Sequence, residues 1–209
     1  MRRKFVGLFL SAALLAPVHE VWAGDYDVEE WIGRVKPYTS GASSPTPDAR
    51  AKLLTELSVA TEDRSSIDRI RKADSVAAVI GSSLILGNTD DPIARKAASL
   101  VIINLVDNTT ICLVTDHLRR NNGLNASFQL NLLQAIRLVG SYAYRENVTD
   151  VVGTIDDVER RLPTDADQGR RLVASIRETL AKNTENGTSA IPAALNDART
   201  RRCPGTSSK

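Results

Sequence analysis

Cys112 and Cys203 are the two cysteines of the chain and the first residues whose chemistry the sequence invites. In an oxidising compartment two thiols suggest one disulfide. On a helix advancing 100° per residue, Thr115, Asp116 and Arg119 fall within about 60° of Cys112, and Ile111, Val114 and Leu118 lie opposite. That places Cys112 on a polar helix face, where a returning C-terminal tail can reach it. A loop of about 90 residues closed by such a staple contributes roughly 4 kcal/mol in the chain-entropy model. The alternative is two free or separately paired thiols.

The remaining reactive residue types do not assemble into a catalytic set. Once the first 23 residues are set aside, His117 is the one histidine, flanked by Asp116 and Arg119. With no second histidine and no cysteine pair at metal spacing, no zinc site is expected. Gly81-Ser82-Ser83 lies in an apolar run and lacks the Gly-x-Ser-x-Gly elbow, so Gly81 is expected to permit close helix packing instead. Asp150, Asp156, Asp157 and Glu159 are followed at once by Arg160 and Arg161. Such a run is a solvated, self-compensating helix face, or alternatively part of a charged recognition surface. A glycosidase acid pair would need a cleft, and nothing in the sequence builds one. No Gly-rich phosphate loop occurs. No catalytic residue, metal ligand set or cofactor is expected.

The compartment is read from the first 23 residues. Arg2, Arg3 and Lys4 precede a mostly apolar stretch from Phe5 to Val18, and Val21 and Ala23 are small enough for a signal peptidase site. The apolar run of about 14 residues is broken by Pro17 and falls short of the roughly 20 needed to span a bilayer. An exported protein is expected, in a bacterial periplasm or secreted, with no integral membrane segment in the mature form. Of 27 Lys+Arg and 25 Asp+Glu, this segment takes Arg2, Arg3, Lys4 and Glu20, leaving 24 of each. A mature chain of zero net charge offers no global attraction for phosphate backbones, so nucleic acid is not an expected partner. Four Asn-x-Ser/Thr sequons occur, at Asn108, Asn125, Asn147 and Asn186; three of them lie at helix starts, so capping is preferred to glycosylation as their explanation.

The elements that position these residues read as helices throughout. Aromatics are 4% of the chain, which suits closely packed helices better than strands. Val28, Trp31, Ile32 and Val35 recur at i, i+3, i+4 and i+7. Trp31 there either caps one end of the core or belongs to a docking helix for a partner or membrane. Pro37 to Pro47 reads as a flexible connection, and Thr46-Pro47-Asp48 as a helix start. A further helical run after Thr61–Ser66 reaches about Leu86. Ala97 to Val106 is apolar almost all round, as in a helix buried on several sides. Phe128, Leu132, Ala135, Ile136, Val139 and Ala143 follow helical spacing, as do Val148, Val151, Val152, Ile155, Val158 and Leu162. Leu172, Val173, Ile176 and Leu180 face inward on a later helix. Asn183–Ser189 then reads as a polar loop, before a short helix near Pro192 and a polar tail.

Val76 to Ile111 is 35 residues and Ile111 to Val148 is 37, a period proper to stacked helical hairpins. Asp91-Pro92, Arg95 and Ala98 resemble the first helix of a HEAT repeat, and Leu133 to Gly140 resembles the end of the equivalent helix one unit later. The second unit lacks the Asp-Pro and the Arg. The resemblance covers roughly residues 73–162. It implies an all-α fold, a short right-handed stack of antiparallel helical hairpins (a HEAT-like α-solenoid or helical bundle), and no catalytic residues. The organisation expected is a signal peptide at 1–23, an N-terminal helix and linker at 24–47, the repeat domain at 48–203, and a tail at 204–209. The function expected is non-catalytic binding of a protein partner through an exposed helix face bearing Asp116, Arg119, Asp150 and Asp157. One alternative is a small-ligand site or enzyme in a groove between the N-terminal helix and the stack. Another is a cell-envelope component tethered by the Trp31 helix.

Overall fold

The computed structural model describes residues 27–107, 110–140, 145–162 and 166–186, with side chains for all of these but 140, 145–150 and 183–186. The described residues form an all-α fold of nine helices. These are α1 (Val28–Thr39), α2 (Pro47–Ala60), α3 (Arg64–Lys72), α4 (Val76–Gly87), α5 (Pro92–Leu105), α6 (Ile111–Arg120), α7 (Ala126–Gly140), α8 (Arg145–Arg161) and α9 (Asp167–Asn186). The expected signal segment, Ala143, Cys203, the Pro192 helix and the tail lie outside the described residues.

Each start has a local cause. Orphan N–H groups at a helix N-terminus need acceptors, and short polar side chains supply them. Asp27 accepts from the Glu29 and Glu30 amides at 2.9 and 3.0 Å, Thr46 from Ala49 at 3.2 Å, and Asp91 from Ile93 at 2.9 Å. The Asn125 side chain accepts from the Ser127 amide at 3.1 Å, so this sequon residue does cap α7, and its Nδ2 donates to Asp90 at 3.0 Å. Asn108 lies outside the described residues, as do the side chains of Asn147 and Asn186.

Helices α1, α4, α6 and α8 pack side by side in one layer, and α2, α5, α7 and α9 form a second against it. Across the layers α1 meets α2, α4 meets α5, α6 meets α7, and α8 meets α9. Across the layers α5 thus pairs with α4 before it and not with α6 after it, one helix out of step with the pairing read from the sequence. Apolar spacing says that a helix is buried without saying which neighbour buries it. The buried layer between holds Leu54, Val79, Ile102, Leu105, Phe128, Ile136, Ile155 and Ile176 in a single apolar cluster. As its all-round apolar pattern implies, α5 touches α2, α4 and α7 together. Side-chain amides tie the second layer: Asn104 Nδ2 donates to the Thr61 carbonyl at 3.2 Å, and Asn131 Nδ2 to Ser99 Oγ at 2.8 Å.

Trp31 is 0% exposed and its Nε1–H donates to the Leu53 carbonyl at 2.8 Å, so of its two readings the core one holds and the docking one does not. Three expectations are corrected. The run from Arg64 to Gly87 is two helices, broken where Asp74 takes a left-handed φ of 55°. α9 continues through the stretch read as a loop from Asn183, ending at Asn186. Gly81 has no atom within 4 Å of where a Cβ would sit; the close approach is at Gly87.

Candidate binding face between α6 and α8

α6 lies between α4 and α8 in its layer, so both of its flanks are covered. This changes the expected polar face. Cys112 is 6% exposed and Thr115 2%, with the Thr115 hydroxyl donating back to the Cys112 carbonyl at 3.1 Å. Cys112 is therefore a buried position among apolar side chains and not an open one, although it is not a free thiol. Only the sector carrying Asp116 and Arg119 remains partly open.

Three of the four residues expected to meet a partner come together there. Arg119 reaches across to α8 and donates from Nη2 to the buried Thr154 hydroxyl at 3.0 Å, while its Nη1 stands 3.8 Å from Asp116. Asp116 is shared with Arg120 at 2.8 Å. On α8, Asp157 pairs with Arg160. Asp150 lies on the same helix, but its side chain is outside those described. Exposed pairs of this kind stabilise by only about 0–1 kcal/mol, so they shape a surface more than they hold a fold.

Arg161 has a different role. Its Nε donates to the Asp157 carbonyl at 3.2 Å, Nη1 to Asn122 Oδ1 at 2.5 Å and Nη2 to the Leu118 carbonyl at 2.8 Å. The Leu118 carbonyl is among the last four of α6, which have no partner within the helix and carry the negative end of its dipole. Arg161 thus caps α6 from α8, in a fixed geometry and with neutral acceptors alone. Together Arg119, Asn122, Asp157, Arg160 and Arg161 line an open depression of about 350 Å³.

Asn122, Arg160 and Arg161 escaped the sequence reading as site residues. Arg160 and Arg161 looked like compensators for the carboxylates beside them, which is true of Arg160 alone. The cross-helix acceptors of Arg161 leave no local signal. Asp156 and Glu159, in turn, are clamped to α9 by Arg177 at 2.6 Å each, and these two carboxylates raise the Arg177 pKa, Glu159 contributing most. The carboxylate run is accordingly split between a clamp and a groove.

His117 sits beside this face on α6, half-buried. Its Nδ1 is 3.3 Å from Asn121 Nδ2, and its Nε2 has no hydrogen-bond partner among the described residues. Carbonyls at a helix C-terminus favour an imidazolium, but desolvation opposes it and prevails, lowering the pKa below its ordinary 6.5. Above that value neither state is protonated and His117 has no effect on stability. Below it the unfolded chain takes up the proton first, so stability falls with pH until the folded pKa is passed. Urea midpoints measured from pH 7 down to about pH 5 should therefore fall by an increment that the H117Q variant lacks. Parallel curves for the two proteins would show that His117 titrates alike folded and unfolded.

Among the described residues no group of three or more His, Cys, Asp or Glu is arranged to hold a metal ion, and no helix is long and apolar enough to cross a membrane. Ser83 is fully buried on α4, so it offers no accessible nucleophile. Compared with protein-family models, curated proteins and solved structures, the chain matches none of them.

Proposed function

We propose that this is an exported, non-catalytic protein that binds a protein partner through the exposed face of α6 and α8. In this reading the two layers are a short, right-handed HEAT-like α-solenoid. Packing between its helices keeps the α6–α8 face rigid, and the mature form works in the periplasm. The observation that carries the reading is the convergence of Arg119, Asn122, Asp157, Arg160 and Arg161 from two helices on one open groove. Its lining offers guanidinium, amide and carboxylate groups for recognition.

Affinity capture of the mature form from its own organism's periplasm tests this, with the R160Q variant run in parallel. A reproducible partner that the variant fails to retain supports the proposal. No partner, together with a small molecule that raises the melting temperature, would replace it with a ligand-binding function.

The second part of the proposal is covalent. Cys112 pairs with Cys203, the one other cysteine in the chain. Intact mass after alkylation of the unfolded protein, with and without reductant, decides it: a difference of two alkyl groups is expected, and equal masses would exclude the bond.

A further inference from the structure

We propose that the α6–α8 groove receives carboxylate side chains from an acidic segment of the partner, a step that rests on the partner-binding function above. Three guanidinium groups and one carboxylate line the groove, so the lining carries a surplus of positive charge although the mature chain as a whole has none. The surplus is fixed in place. All three nitrogens of Arg161 donate to carbonyl or amide oxygens, which orient the guanidinium and leave its charge uncompensated by any carboxylate among the described residues. Arg119 is held at the other wall by Thr154, and the carboxylate it pairs with among the described residues, Asp116, is shared with Arg120. A preorganised positive floor loses little entropy on binding an anion, and planar guanidinium groups match carboxylates in paired, parallel hydrogen bonds.

Arg160 is the exposed reader at the rim. Its side chain is 76% exposed, and its contacts with α8 are the Asp157 carboxylate and the Asp156 carbonyl. An incoming carboxylate competes with Asp157 for it. Asp157 therefore works as an internal stand-in for the ligand, lowering affinity while keeping Arg160 over the groove. The chain's own C-terminal stretch carries Arg199, Arg201 and Arg202, the wrong sign for this floor. An acidic protein segment, with several carboxylates on one strand of backbone, fits better than a single small anion, because the arginines come from two helices and are spread along the groove.

The probe is a fluorescein-labelled hexaglutamate peptide, titrated with the mature protein by anisotropy, with hexaglutamine and inorganic phosphate as competitors. Saturable binding is expected, weakening with added salt and resisting equal concentrations of either competitor. R160Q and R119Q should each weaken it by about tenfold, a typical effect for one charge-assisted contact. D157N should tighten it by a few fold, a gain that a merely disturbed surface would not give. Urea midpoints confirm that each variant is folded. The proposal is overturned by no binding, by equal binding of hexaglutamine, by displacement with phosphate, or by affinities indifferent to R160Q and D157N. If capture of a partner depends on Arg160 while hexaglutamate does not bind, the partner-binding function stands and the acidic-segment inference falls. Binding of the peptide with no captured partner keeps the groove's selectivity for acidic chains and overturns its assignment to a periplasmic partner.

Discussion

Replacing Trp31 by alanine should destabilise the protein by about 3–5 kcal/mol, the range for removing a fully buried large aromatic side chain. Trp31 has no exposed surface, and its indole N–H reaches the Leu53 carbonyl on α2 at 2.8 Å. The same residue ties α1 to α2, and α1 also packs against α4. Against a total stability of about 5–15 kcal/mol for an ordinary domain, that loss is large. In a chain of this length it lowers the melting temperature by roughly 6–20 °C. W31F separates the two contributions. It keeps most of the ring and loses the hydrogen bond, so it should cost about 1–2 kcal/mol. Urea denaturation of the mature protein measures both. A W31A protein as stable as the parent, but no longer floating with lipid vesicles, would return α1 to the role of a membrane tether.

That result also marks where the sequence was informative. The 3.6-residue spacing of Val28, Trp31 and Val35 specifies one buried side, and all three are buried. It does not specify what lies against that side, so core and docking surface remained equal in pattern. The same limit explains Cys112. A helical wheel orients Cys112 relative to its own helix, but α6 is flanked on both sides, and a neighbour covers part of the sector that its polar residues suggested was open. Caps were legible because they are local: Thr46 and Asn125 act on amides two or three residues away. The break at Asp74 was not, since a left-handed Asp is a choice made by the turn between α3 and α4 and not by side-chain periodicity. In the groove, the charges of Arg119 and Asp157 could be read as surface. That Arg161 spends its hydrogen bonds on another helix could not, because Leu118 and Asn122 are about 40 residues away and are matched by geometry alone.

Glycine packing gives the second large effect, and one with a built-in control. A Cβ on Gly87 would sit 2.5 Å from the Ala98 Cβ on α5 and 2.6 Å from the Phe128 ring on α7. Neither can yield cheaply. The Ala98 Cβ moves only with the α5 backbone, and Phe128 is fully buried, so its ring has no free space to turn into. G87A should therefore force α4 away from α5 and α7 and cost about 1–3 kcal/mol, the usual penalty for overpacking a close-packed interior. Gly81, six residues earlier on the same helix, has nothing within 4 Å of a new Cβ. There the intrinsic preference of alanine for helix dominates, and G81A should stabilise by roughly 0.5–1 kcal/mol. Opposite signs from one substitution, on one helix, test the layer packing more sharply than either value alone. Urea midpoints for the two variants provide the measurement. Stabilisation by both would mean that α4 is not held against Ala98 and Phe128, and that the junction of α4, α5 and α7 is looser than its contacts require. Destabilisation by both would point instead to a backbone at Gly81 that the helix geometry does not account for.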